Sequence, residues 1–435
     1  MERFQSILLK FGTWASQNKY LSAIKDGFQN FMPFIIIGAV GILWSNVIVN
    51  AETGLGAIFS PIMALEFLNP AFDALNFATI NCITLAITFL IGGEIAKHNG
   101  IDKMFGAILA IASLLTITQS SYDFIVDGKV IESITGIFGN SIGSQGLFTG
   151  IIIAIVSVEL FSLFFKIDAL KIKLPDAVPP QIARSFEYLI PGFIVMAIIS
   201  LLGLTCELLT GYYLNDLIFN LIQTPLLNIG GSLPGVLIFT FLIGVFWSVG
   251  LHGDNMVNGV FLPIITTLIV QNTEMVEKGL EPVNIVNYSW YRIFSCTGGT
   301  GMVLGLALAI FIVGKRAENR SIASIGITAN LFNIMEVEAF GLPIVLNPIL
   351  IIPFILAPIV CVIIGYILTV IGFCPIMYLN VPWTMPPFLY GFIASGGNIM
   401  GGICQLIAIV AATIIYIPFV KMYEKQQAIE DNKNA

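Results

Sequence analysis

The chain reads as an all-α polytopic membrane protein of about ten transmembrane helices, with both termini in the cytoplasm and re-entrant hairpins in its C-terminal half. Three observations predict this. With 57% hydrophobic and 10% charged residues, there are too few polar side chains to coat a water-soluble globule of 435 residues. Apolar runs near the ~20 residues needed to cross hydrocarbon recur along the chain. The positive charge is also partitioned: one alternate set of gaps, with both ends, holds 16 of the 19 Lys and Arg, namely Arg3, Lys10, Lys19, Lys25, Lys97, Lys103, Lys166, Lys171, Lys173, Arg184, Lys315, Arg316, Arg320, Lys421, Lys425 and Lys433. The other set holds only Lys129, Lys278 and Arg292. Cytoplasmic loops carry the Lys and Arg excess, so both ends face the cytoplasm and the number of spans is even.

In chain order, the opening segment is mixed and amphipathic and lacks the short apolar core and small-residue cleavage site of a signal peptide. Spans are predicted at roughly 33–49, 71–92, 104–119, 145–166, 188–209, 233–250, 255–271, 297–313, 344–371 and 401–420. Between the fourth and fifth, the linker at 171–192 carries Pro175, Pro179 and Pro180, which cannot continue a helix, and the cationic Lys171, Lys173 and Arg184. It divides the chain into an N-terminal half, 1–185 with the span at 188–209 completing it, and a C-terminal half, 186–435. The second half is punctuated by Gly and Pro at 250–255, 340–348 and 381–398. Broken backbone at membrane depth is tolerated only where protein or a watery cavity satisfies its polar groups, so these breaks point to a site.

Several classes fall away. The net charge of −7 forms no basic patch, so nucleic acid is not an expected partner. The six cysteines lie in or beside apolar stretches without a C-x-x-C pair and read as small buried filler. No metal-ligand spacing, phosphate-binding loop or nucleophile elbow is present, and neither metal nor cofactor is expected.

The candidate chemistry lies at the breaks. His252, with Asp254 and Asn255, sits in a Gly-flanked turn joining two apolar runs, and intramembrane ionisable groups are costly enough to be functional candidates. The alternative is a turn in cytoplasmic water; His98, between Lys97 and Asn99, reads as solvated. Glu336 and Glu338 stand in an apolar stretch with no local Lys or Arg. On a helix they face about 200° apart and cannot share a substrate; on an unwound tip one faces a cavity and the other water, and in a surface loop both are solvated. Trp383, among Pro382, Pro386 and Pro387, is a flat apolar plate suited to the C–H face of a sugar, or else an interfacial belt residue.

Taken together, the stretches at 144–161, 174–193 and 339–358, the G-L-H-G turn, and V-P-W-T-M-P-P followed by G-F-I-A-S-G-G-N resemble one family along essentially the whole chain. It is the membrane-embedded enzyme IIC component of the bacterial sugar phosphotransferase system, lactose/cellobiose/diacetylchitobiose type. The resemblance implies an elevator-type permease of the bacterial cytoplasmic membrane: a homodimer whose first five spans form the interface, and whose C-terminal half, from about 233, carries a disaccharide across as a rigid body. It further implies that the sugar's 6-hydroxyl is phosphorylated by a phosphocysteine on a separate enzyme IIB, with IIA upstream, and that this chain is the membrane subunit without an independent catalytic centre. Residue by residue, His252 and Glu336 match the family's histidine and glutamate beside that hydroxyl, Asn333 lies next to the glutamate, and Trp383 is the stacking plate. Asn255 and Glu338 complete the expected substrate-binding set.

The chain departs from the family where Val337 and Glu338 replace a proline and an apolar residue, where Asp254 follows the G-x-H-G turn, and where Asn398 replaces a common acidic residue. Two further classes therefore stand beside group translocation: a proton-coupled secondary sugar transporter using Glu336 or Glu338, and a non-transporting sensor on the same fold.

Overall fold

The computed structural model describes Lys10, Trp14, Gln17 and residues 18–434, apart from 52–54, 127–128, 138, 176 and 346. Most of the opening segment, with Arg3, lies outside the described residues.

Apolar continuity sets the first helices. Helix α1 (Lys19–Leu43) runs on through a widened turn to Ile48, so the run expected from 33 begins well upstream. A hydropathy window discards its charged first turns, but Lys19 Nζ lies 2.6 Å from Glu159 Oε1 and is neutralised there. Helices α2 (Asn69–Thr79) and α3 (Ile83–His98) lie in one long element, Ser60–His98. Then come α4 (Lys103–Thr116), strands β1 (Ser121–Val126) and β2 (Lys129–Thr135), and α5 (Leu147–Phe165). Helix α6 (Pro180–Thr210) starts on Pro180, whose missing N–H costs nothing in a first turn, and ends at Gly211 with φ 74°. The second half holds α7 (Leu214–Gly230), α8 (Leu233–Ser248), α9 (Gly253–Glu277), α10 (Tyr288–Ser295), α11 (Val303–Val313), α12 (Ala317–Asn330), α13 (Glu336–Gly341), α14 (Ile351–Val370), α15 (Leu389–Ala394) and α16 (Ile399–Asn434).

Ten spans are too many. Among the described residues seven helices are long and apolar enough to cross a membrane, or eight when α7 and α8, bent by 69°, count as one. The run at 104–119 yields the 14 residues of α4 and that at 297–313 the 11 residues of α11, which rise only about 21 and 16 Å against the ~30 Å of hydrocarbon. Hydropathy sums apolar side chains whether or not the backbone stays helical, and Gly298, Gly299 and Gly301 break it. The helical expectation also missed the antiparallel hairpin β1–β2, which flanks Asp127-Gly128, a dipeptide favoured in two-residue hairpins.

The chain forms two compact units. One comprises 18–35 and 77–226; the other comprises 1–17, 36–76 and 227–435, so the segment 36–76 groups with the C-terminal part of the chain.

In the first unit, α3 and α4 meet through small residues. A Cβ on Gly92 would strike that of Ala110, and one on Gly106 would strike Ala96, so reciprocal small-x-x-x-small rows bring the two backbones together where lipid offers no hydrophobic drive. Phe105, Phe161 and Tyr188 then join α4, α5 and α6, with ring centroids 4.4–5.3 Å apart.

In the second unit the core is built around α10, where Trp290 and Phe294 are fully buried and Trp290 Nε1 donates to Thr369 Oγ1 at 3.0 Å. The non-helical segment 375–388 crosses this core. Asn272 and Asn287 each donate to the Met377 carbonyl at 2.9 Å, Thr273 to that of Tyr378, and Ser289 to that of Leu379 at 2.8 Å. Each buried carbonyl left bare would cost about 1–3 kcal/mol, so side chains on α9, on α10 and on its capping residue Asn287 stabilise an irregular segment that lipid could not.

Candidate functional site

All the candidate residues lie in the second unit, where the first turn of α9, the loop 296–302, the connection 331–335 and the segment 381–388 are tied to one another by hydrogen bonds. His252 caps α9: its Nδ1 accepts from the Asn255 N–H at 3.4 Å. A ring nitrogen used as acceptor leaves Nε2 as the N–H donor of a neutral imidazole, and that side chain is exposed. The ring leans on Trp247 at 4.6 Å between centroids. Asn255 is exposed one turn into the same helix.

Asp254 faces inward instead. Its Oδ2 accepts from Thr300 Oγ1 at 2.8 Å and from Trp247 Nε1 at 3.3 Å. Thr300 belongs to the loop 296–302, and that loop is the junction which sequence reasoning missed. Gly298, Gly299 and Gly301 adopt φ of 83°, 99° and 80°, and even Met302 sits at φ 56°. The loop is fixed from four directions: Thr300 to Asp254, Gly298 N–H to Asn333 Oδ1 at 2.8 Å, Tyr416 O–H to the Gly301 carbonyl at 2.7 Å, and Gln405 Nε2 to Thr297 Oγ1 at 3.1 Å. A run of T-G-G-T-G inside an apolar stretch was the available signal.

Asn333, itself at φ 59°, is buried and carries the linkage onward. Its Nδ2 donates to the carbonyls of Trp383 at 2.6 Å and Met385 at 3.2 Å. One amide thus holds the 296–302 loop with its oxygen and the 381–388 segment with its nitrogen, while its own backbone leads to Glu336. Asn333 is in this way a strut, and its side chain is consumed by backbone partners.

Glu336 opens α13 and is exposed; its Oε2 accepts from the Met335 N–H at 3.0 Å, which leaves its other oxygen for a further partner. Trp383 is 44% exposed, with the Arg292 guanidinium 5.9 Å from its ring centroid. A cation over an indole is worth about 0.5–2 kcal/mol and fixes the ring plane. Glu338 is placed otherwise than expected: it is fully buried, and its Oε2 accepts from Asn330 Nδ2 at 3.1 Å. Position 338 faces away from position 336 because α13 is helical there.

The arrangement thus links an outward imidazole N–H, an outward carboxylate and a half-exposed indole through a hydrogen-bonded scaffold of loops.

The family model described as "Phosphotransferase system, EIIC" matches residues 25–358. The oligo-beta-mannoside-specific EIIC component of Bacillus subtilis (strain 168) is 32% identical, over 100% of this chain and 96% of that protein. The cellobiose-specific EIIC component of Geobacillus stearothermophilus is also 32% identical, over 96% of this chain and 92% of that protein. Among solved structures, the transporter ChbC, the IIC component of the N,N'-diacetylchitobiose-specific system, superposes with a TM-score of 0.89 at 32% identity, covering 98% of each chain. With the family model spanning most of the chain and relatives matched end to end, this multi-pass membrane protein belongs to the EIIC family of the phosphotransferase system, as a sugar permease related to the lactose-, cellobiose- and diacetylchitobiose-specific components.

Proposed function

We propose that the permease carries a β-linked disaccharide, of the kind named for its cellobiose, oligo-beta-mannoside and diacetylchitobiose relatives, and presents the 6-hydroxyl to the phosphocysteine of enzyme IIB. Trp383 takes the apolar face of one ring. The His252 Nε2–H donates to the reacting hydroxyl oxygen, while the free oxygen of Glu336 accepts its proton. As that oxygen forms its bond to phosphorus, the S–P bond of the IIB phosphocysteine breaks and the thiolate leaves on IIB. Asn255 lies beside His252 as a further contact, and Asn333 holds the connection that carries Glu336.

The observation that carries this reading is the Asn333 amide, which ties the loop 296–302 to the backbone of Trp383 and so links the residues proposed to meet one sugar. The same reading makes the chain a homodimer through 1–185 with the helix that follows, moves the C-terminal part from about 233 as the carrier, and places both termini in the cytoplasm. Lys19, Lys97, Lys103 and Lys166 all fall in or beside the loops this orientation assigns to the cytoplasm.

Proteoliposomes test it. With phosphorylated IIB inside, cellobiose should be retained only as its phosphate. Accumulation of unmodified sugar under a pH gradient without IIB would establish a secondary transporter instead, and an intact dimer that binds no disaccharide would establish a sensor.

A further inference from the structure

Glu338 is a carboxylate whose surroundings are unusual for an anion. It is fully buried and makes no ion pair among the described residues. Its carboxyl lies against Gly326 so closely that a Cβ there would overlap it. Helix α12 faces it with Gly326 and Asn330, both uncharged; the titratable group that acts on it through space is Glu336, of like sign. An isolated carboxylate in such a place costs several kcal/mol and instead takes up a proton.

The hydrogen bonds say where that proton goes. One bond already joins the two side chains, from Asn330 Nδ2 to Glu338 Oε2 at 3.1 Å. Both remaining oxygens of this pair, Glu338 Oε1 and Asn330 Oδ1, are buried without a partner. Two orphan acceptors on two side chains already in contact are one proton short.

We propose that Glu338 is a neutral carboxylic acid paired head to head with Asn330, its Oε1–H donating to Asn330 Oδ1, and that this acid–amide pair positions Glu336. Asn330 is the last residue of α12, and its Nδ2 also donates to the Ile334 carbonyl at 2.9 Å. The pair therefore clamps the connection 331–335 from both ends. With 338 anchored inward, a helix two residues earlier points about 200° away, which turns Glu336 outward. Burial pushes the Glu338 carboxyl up to about 7 from 4.5, opposed by the Asn330 hydrogen bond, with Glu336 adding to the rise; α13 is not one of the membrane-spanning helices. The positioning role rests on the assignment of Glu336 to the sugar hydroxyl; the pair itself does not.

Glu338→Gln is the informative variant, since an amide supplies an N–H to Asn330 Oδ1 and a carbonyl to Asn330 Nδ2 and so restores both bonds without a titratable proton. Infrared difference spectra of the full-length protein should show a protonated-carboxyl carbonyl band that titrates near neutrality and is lost in Glu338→Gln. A wild-type protein without that band, or a variant that keeps it, overturns the pair. With cellobiose as probe, Glu338→Gln should bind within about twofold of wild type and lose its pH dependence, while Glu338→Ala and Asn330→Ala weaken binding about tenfold. Glu338→Gln as damaging as Glu338→Ala also overturns it. Failure of Glu336→Gln to affect binding while the infrared band behaves as expected would sink the site assignment and leave the acid–amide pair standing.

Discussion

At the scale of single residues, two exposed side chains with fixed orientation are set against one buried carboxyl. Glu336→Gln and His252→Ala should each lower cellobiose binding or phosphorylation tenfold or more, about 1.4 kcal/mol, whereas His98→Ala should do little. Calorimetric titration of the three variants checks this, and equal losses at all three would mean the site is misplaced. A second prediction concerns pH. The carboxyl of Glu338 holds its proton more tightly folded than unfolded, so its contribution to stability is fully present below about 4.5 and declines as pH rises to about 7. Thermal unfolding in detergent should show this slope in the wild type and a flatter one in Glu338→Gln; matching slopes would contradict it.

Among the elements, the loop 296–302 matters more than its sequence advertises. Gly299 adopts φ 99°, and a Cβ there would meet Met335, the residue before Glu336. Gly299→Ala therefore combines backbone strain of about 1–3 kcal/mol with displacement of the glutamate. The expected outcome is a lower melting temperature together with loss of sugar binding in the folded fraction. A variant that melts lower yet binds normally would show that the loop is structural only. In the other unit, Gly106→Leu should separate α3 from α4 and lower stability while leaving the sugar affinity of the surviving fold unchanged, because the candidate residues all belong to the unit formed by 36–76 and 227–435.

Considered as a whole molecule, the permease is expected to be dimeric in detergent by light scattering, with truncation or crowding of the first-half helices reducing it to monomers. The sequence by itself determined the solvent, because 57% hydrophobic residues can be accommodated only by lipid, and the breaks, because Gly, Pro, His and Glu in apolar runs are costly wherever they fall. It also marked His252, Glu336 and Trp383 as candidates. The number of full spans was not legible: hydropathy is a sum over side chains, blind to the glycine turns that stop α11 at 11 residues and to the bend between α7 and α8. Only the tertiary structure decided that Asn333 is a strut between two loops, that Asp254 turns to Thr300, and that Glu338 lies inside against Asn330. Those roles depend on which polar groups meet across tens of residues, and a local pattern carries no record of partners that only packing brings within hydrogen-bonding distance.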